Sequence, residues 1–180
     1  MSDGTFSFLK RAALAALLLA GGCEVRSSSV ADDEPTSQAP GDEFDAAVLP
    51  AGIAVNRGGI QFINGYHRGL ELAREQQLPA LVFFTAEWCT YCRQMEADAF
   101  TQDSVVELSK QFVCVLVDAD CEPGVCRDFR IQGYPTIQFL SSRGVPLNRV
   151  TGKQPGQQLA MQMQAALQAV ARRDGDAVRR

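Results

Sequence analysis

Cys89 and Cys92 lie in the run Leu81 to Met95, LVFFTAEWCTYCRQM, and are the residues whose type and spacing most directly support chemistry. Two thiols separated by two residues can close a disulfide or serve as half of a metal site, and the flanking elements decide between these. Leu81 to Phe84 are continuously apolar, as in a strand buried on both faces of a parallel sheet. After the junction Thr85 to Glu87, residues Cys92, Met95, Glu96 and Ala99 recur at spacings of three and four, which predicts a helix beginning at Cys89. At a helix start, unpaired backbone N–H groups and the positive end of the helix dipole favour a thiolate over a thiol. The thiolate is the nucleophile of disulfide exchange, so Cys89 is expected to attack and Cys92, one turn on, to resolve. A zinc site needs four ligands, and the chain offers only His67 beside its cysteines. The strand-then-helix context favours the redox pair, and no metal or cofactor is expected.

AEWCTYC resembles the active-site signature of the thioredoxin superfamily. Far downstream, Gly133-Tyr134-Pro135-Thr136 followed by the apolar Ile137 to Leu140 supports the resemblance. It implies that Pro135 is cis, opens a strand and lies against the cysteine pair, where it helps bind an extended substrate. The segments FFTAEWC, MEADAFTQDSVVEL and FVCVLVDAD, ending at Asp120, are most similar to the envelope-facing thioredoxin-like domain of transmembrane disulfide reductases. The similarity covers roughly residues 56 to 172. It implies a thioredoxin-like α/β fold, a central mixed β-sheet flanked by helices.

The N-terminus reads as a targeting sequence over residues 1–22. Lys10 and Arg11 are followed by the nine apolar residues Ala12 to Ala20, too few for the roughly 20 that cross a bilayer. Ala20-Gly21-Gly22-Cys23 resembles a bacterial lipoprotein cleavage box, which implies lipidation of Cys23; a plain secretory signal is the alternative. Ser27 to Pro50 carry six acidic residues, no basic ones and three prolines, a composition that predicts a disordered tether within residues 23–55. As a flexible coil its 24 residues would average roughly 25 to 30 Å end to end. Without residues 1–22 the chain has 15 basic and 20 acidic side chains, a net charge of −5, which argues against a nucleic-acid partner.

Residues 56–180 have the length of one domain and are expected to be monomeric. The pattern predicts a strand at Gly59–Ile63, a helix from an Asn64 cap to Gln77, and a strand into the cysteine pair. A helix follows at Asp103–Gln111, a strand at Phe112–Val117 and a short helix at Glu122–Arg130. Strands at Thr136–Leu140 and Leu147–Thr151 and a last helix at Pro155–Arg173 complete the domain. Strands alternating with helices define an α/β layer arrangement. His67 shares a helix face with Glu71 and Arg74 and reads as solvated, not as a base.

Cys114 falls inside an apolar strand and reads as a buried inert thiol. Cys121 and Cys126 are five positions apart, and in an oxidising compartment a structural disulfide between them is expected; a second redox pair, or pairing of either with Cys114, are the alternatives. Trp88 reads either as a core aromatic or, by the resemblance, as a half-exposed wall of the substrate groove with Tyr134 and Pro135. Glu87 matches an acidic residue found at this place in many relatives. Phe83 departs from the family: cytosolic thioredoxins carry a buried aspartate there that relays the resolving cysteine's proton, so here water or Glu87 would serve. Thr90-Tyr91 is neither the Gly-Pro of reducing thioredoxins nor a pair containing the histidine that makes an oxidant, although Arg93 could stabilise a thiolate.

The sequence reading is therefore an enzyme of the cell envelope, facing the periplasm and lipid-anchored, that reduces protein disulfides and is itself re-reduced by a membrane-embedded electron donor. An oxidase or isomerase, a Cu(I)-binding module using the two thiolates and a non-catalytic interaction domain are the rivals.

Overall fold

The computed structural model describes residues 53–178. The expected leader 1–22, the lipidation site Cys23 and the tether as far as residue 52 lie outside the described residues. Among the described residues, no helix is long and apolar enough to cross a membrane.

The strand that leads into the cysteine pair is β3 (Ala80–Thr85), and all six of its residues are buried. It lies between β4 (Val113–Asp118), which it pairs in parallel, and β5 (Thr136–Leu140), which it pairs antiparallel. Outside these stand β2 (Ile60–Asn64) and β1 (Ala54–Arg57) on one side and β6 (Pro146–Thr151) on the other, giving the order β1-β2-β4-β3-β5-β6. The sheet is mixed and flanked by helices, as expected.

Side chains on a strand alternate between faces, and β3 divides accordingly. Leu81 and Phe83 join a core with α2 (Thr90–Asp98), α3 (Asp103–Ser109) and α5 (Gly156–Val178), through Met95, Phe100, Val105, Leu159 and Met163. Val82 and Phe84 join the opposite core with α1 (Tyr66–Gln76) and α4 (Pro123–Asp128), through Leu70, Ala73 and Cys126. The Leu159, Met163 and Ala166 stripe of α5 is core packing. Phe83 meets Phe100 edge-on at 5.0 Å and Phe62 at 5.9 Å between ring centres.

The structure departs from the pattern reading at two places. β1 was not anticipated; it forms a hairpin with β2, joined across Gly58-Gly59, with Gly58 at φ 61°. It begins at Ala54, two residues before the expected domain start. Asn64 does not cap α1 but ends β2; Gly65, at φ 98°, makes the turn and contributes no side-chain cap. The open N–H of Tyr66 is taken instead by the Glu122 carboxylate, 3.1 and 3.2 Å from its two oxygens. A residue 56 positions away in sequence thus substitutes for a local cap. Glu122→Ala should lower the unfolding free energy by about 1 kcal/mol in urea titration, with Glu122→Gln, which keeps one acceptor, losing less.

Candidate active site

β3 ends at Thr85, whose carbonyl accepts the Ala119 N–H at 2.9 Å, and the chain then turns into α2. Asp120 Oδ2 accepts the Glu87 N–H at 3.3 Å, so the turn after β4 holds the loop that carries the cysteines. Arg93 folds back along the first turn of α2 and donates to the Glu87 carbonyl at 2.8 Å and to Thr90 Oγ1 at 3.3 Å.

Cys89 is the N-cap of α2, and its Sγ accepts the Cys92 N–H at 3.1 Å. The sulfur therefore occupies the position where a capping oxygen would bind an open helix N–H, and a thiolate there gains a charge-assisted hydrogen bond as well as the helix dipole. Cys89 and Cys92 are joined as a disulfide with Cα atoms 5.3 Å apart. Both are nearly sealed, at 4% and 1% exposure, whereas their neighbours Trp88 and Tyr91 are 66% and 63% exposed. Reactive sulfur is thus presented within an exposed aromatic surround.

The Tyr134–Pro135 peptide bond is cis. The Pro135 carbonyl accepts the Gly152 N–H at 2.8 Å, and Thr136 Oγ1 donates to the Gly133 carbonyl at 2.8 Å, which pins the loop to β6 and closes it on itself. The Tyr134 ring meets Trp88 edge-on, 5.8 Å between centres and 85° between planes. Trp88 is therefore an exposed wall, not a core aromatic, and the structure brings it to the cis-proline loop 46 positions downstream.

Phe83 is fully buried among aromatic rings, and no proton acceptor occupies its place. Glu87, weighed as a substitute, is exposed. Glu96 was missed by the sequence reading and is better placed: it follows Cys92 by four residues, so the two occupy one flank of α2, and helical side chains lean toward the preceding turn. Burial pushes its carboxyl above the ordinary range, while Arg57, 3.9 Å away, and Arg93 pull it down. The four-residue spacing from Cys92 was the available signal.

The expected Cys121–Cys126 disulfide is not formed. Cys126 is a free thiol buried on the inner side of α4, whereas Cys121 lies exposed in the turn after β4, so the two side chains belong to different environments. Cys114 is a free buried thiol as expected, in the other core layer from Cys126, which removes a Cys114–Cys126 bridge as well. His67 is exposed on α1.

A dithiol–disulfide pair at a helix N-terminus, beside a cis-proline loop and on a mixed sheet, defines the thioredoxin class of fold and site. Residues 61–142 match the family model described as thioredoxin-like. Thiol:disulfide interchange protein DsbD of Vibrio vulnificus is 31% identical over 101 residues, covering 52% of this chain and 17% of that protein. Protein disulfide-isomerase A2 of Mus musculus is 31% identical over 86 residues, covering 47% of this chain and 16% of that protein. The chain thus spans about a sixth of the length of these curated relatives. Among solved structures, a thioredoxin from Thermus thermophilus superposes with a TM-score of 0.52 at 26% identity, covering 56% of this chain and 82% of that one.

Burial pushes the Cys114 thiol up to about 12. The native state then keeps its proton where the unfolded chain has lost it, so the stabilisation is present below the unfolded thiol's pKa and is lost as pH rises toward 12. Between about pH 9 and 12 this one group contributes a fall of up to about 1.4 kcal/mol per pH unit. Cys114→Ala should flatten the pH dependence of unfolding free energy in that window by about this slope, measured by urea titration at several pH values.

Proposed function

We propose that this protein is a thiol–disulfide oxidoreductase of the cell envelope that works as a reductase or electron carrier on protein disulfides. The observation that carries the reading is the Cys89–Cys92 disulfide at the N-cap of α2, with the Cys92 N–H already directed at Cys89 Sγ. In the reduced protein the Cys89 thiolate attacks one sulfur of a substrate disulfide. A Cys89–substrate bond forms, the substrate S–S bond breaks, and the departing thiolate takes a proton from water. Cys92 then loses its proton, to Glu96 directly or through water, and its thiolate attacks Cys89 Sγ. This closes the Cys89–Cys92 disulfide and releases the second substrate thiolate, so two electrons have passed to the substrate. Trp88, Tyr134 and Pro135 frame the bound segment.

The oxidised domain must receive two electrons before another cycle. A membrane-embedded dithiol donor suits a domain similar in sequence to a DsbD protein. A lipid on Cys23 and the acidic segment after it would hold the domain near that donor and on the periplasmic side. The absence of histidine between Cys89 and Cys92 favours a reducing potential.

Equilibration of the full chain with dithiothreitol or glutathione buffers, read by Trp88 fluorescence, should give a potential at or below about −230 mV; a value near −120 mV would make the protein an oxidant. Cys89→Ser should abolish insulin reduction, and the absence of a reversible transition in the parent chain would defeat the enzyme reading. For the anchor, Cys23→Ala should move the protein from the membrane to the soluble envelope fraction and end incorporation of labelled palmitate. Palmitate incorporation that survives the substitution would remove Cys23 as the lipid site.

A further inference from the structure

The cis-proline loop is linked to the cysteine-bearing segment on two flanks. On one, the Tyr134 ring meets Trp88, the residue before Cys89. On the other, the Pro135 carbonyl accepts the Gly152 N–H at 2.8 Å, and the next residue, Lys153, carries its ammonium onto the exposed face of α2. Lys153 Nζ lies 2.6 Å from Asp98 Oδ2 and donates to Gln94 Oε1 at 3.2 Å. Gln94 and Asp98 are four residues apart in α2, hence neighbours on one side of the helix. One ammonium therefore joins the loop between β6 and α5 to the helix that opens at the cysteine pair, 59 positions in sequence from Gln94.

Lys110 supplies the contrast. It meets Glu107 at 2.8 Å, but the two are three residues apart at the end of α3, where the contact joins nothing that the helix does not already join. Its side chain is 65% exposed, against 34% for Lys153. Lys153 also has two acceptors, and both belong to another element. It stands at the C-terminal half of α2, whose last turn has no basic residue of its own and whose dipole favours a cation there. Gly152, at φ 80°, has no side chain to pack, and the position where a Cβ would stand is open. Lys153 therefore carries the contact with α2 at this point of the loop. A surface ion pair of no wider consequence would not sit one residue from the group that pins the cis-proline carbonyl.

We propose that Lys153 is a positioning residue for polypeptide binding: it ties the Gly152 loop, and with it the Pro135 carbonyl, to α2, and so sets the width of the groove beside Cys89. Without it the loop and the helix can part while the core beneath each stays packed, and a segment docked between them loses a fixed edge. This rests on the reading of Trp88, Tyr134 and Pro135 as the substrate groove.

The test uses the full chain with Lys153→Met, Lys153→Arg, Asp98→Asn and the Lys153→Met/Asp98→Asn double variant. Insulin is the polypeptide disulfide and dithiothreitol the reductant. Lys153→Met and Asp98→Asn should each raise KM for insulin, by about threefold for the methionine variant, with kcat little changed, as expected for a partly exposed ion pair with one added hydrogen bond. The double variant should be no worse than Lys153→Met, and Lys153→Arg, which keeps the cation, should stay near the parent. The two single substitutions change net charge in opposite directions, so a direct attraction between either side chain and insulin would move KM oppositely. That outcome overturns the proposal, as do an unchanged KM in Lys153→Met, single effects that multiply, or arginine behaving like methionine. Amide hydrogen exchange at Gly152, followed by NMR, reports the loop without any turnover. Both single variants should speed it, again by about threefold for Lys153→Met, while the amides of β3 keep their protection. Unchanged exchange at Gly152, or equal acceleration in β3, would overturn the inference. Should Lys153→Met not fold, Asp98→Asn decides alone, because its side chain is 60% exposed and removes the carboxylate without touching the loop. If the parent chain reduces no insulin, the functional reading fails, while exchange at Gly152 still decides whether Lys153 holds the loop to α2.

Discussion

The burial of β3 on both faces is the constraint on which the remaining structure depends. Six consecutive residues from Ala80 to Thr85 are withdrawn from water, with strands on either side and helices above and below. A strand so enclosed has little freedom to slip, since a shift of one residue would exchange Leu81 and Phe83 with Val82 and Phe84 between two differently shaped cores. Its end is therefore a fixed point. From that point the loop Ala86 to Trp88 delivers Cys89 to the first turn of α2, where Asp120 and Arg93 hold the loop backbone.

The site divides into a sealed part and an open part. The two sulfurs lie in the outer margin of the core, where the Cys92 N–H and the helix dipole act with little screening by water. The aromatic side chains around them are exposed and can meet a polypeptide. Phe83 lies fully buried beneath the site and packs against Phe62 and Phe100. The carboxylate closest to Cys92 along the helix is Glu96, half-buried and 3.9 Å from Arg57.

Cys121 and Cys126 show how compartment reasoning and geometry can diverge. In an oxidising envelope two cysteines five residues apart suggest a bridge, but α4 turns Cys126 inward while Cys121 stays in the exposed turn. Five residues that begin in a turn and end in a helix do not bring two side chains to one face. The inward thiol joins the core cluster of Phe84 and Val117, against which Tyr134 of the cis-proline loop also packs.

The elements with strong local periodicity were legible in the sequence: β3, β4, β5 and the apolar stripe of α5 are close to where hydrophobic pattern placed them. So was the cysteine pair, because an apolar strand feeding a helix start is a local signal. Three features were not. β1 is short and mostly polar, and it acquires strand character only by pairing with β2. The cap of α1 comes from Glu122, because a positive φ at Gly65 displaced Asn64 from capping geometry. The meeting of Trp88 and Tyr134 requires β3 and β5 to be neighbours. Sequence by itself determined that β3, β4 and β5 are buried and that Cys89 and Cys92 can pair across one helical turn, since both follow from spacing along a single element. Only the tertiary structure decided which distant groups cap, stack on or hydrogen-bond those residues, because such contacts depend on the order of strands in the sheet and on the direction in which each helix faces.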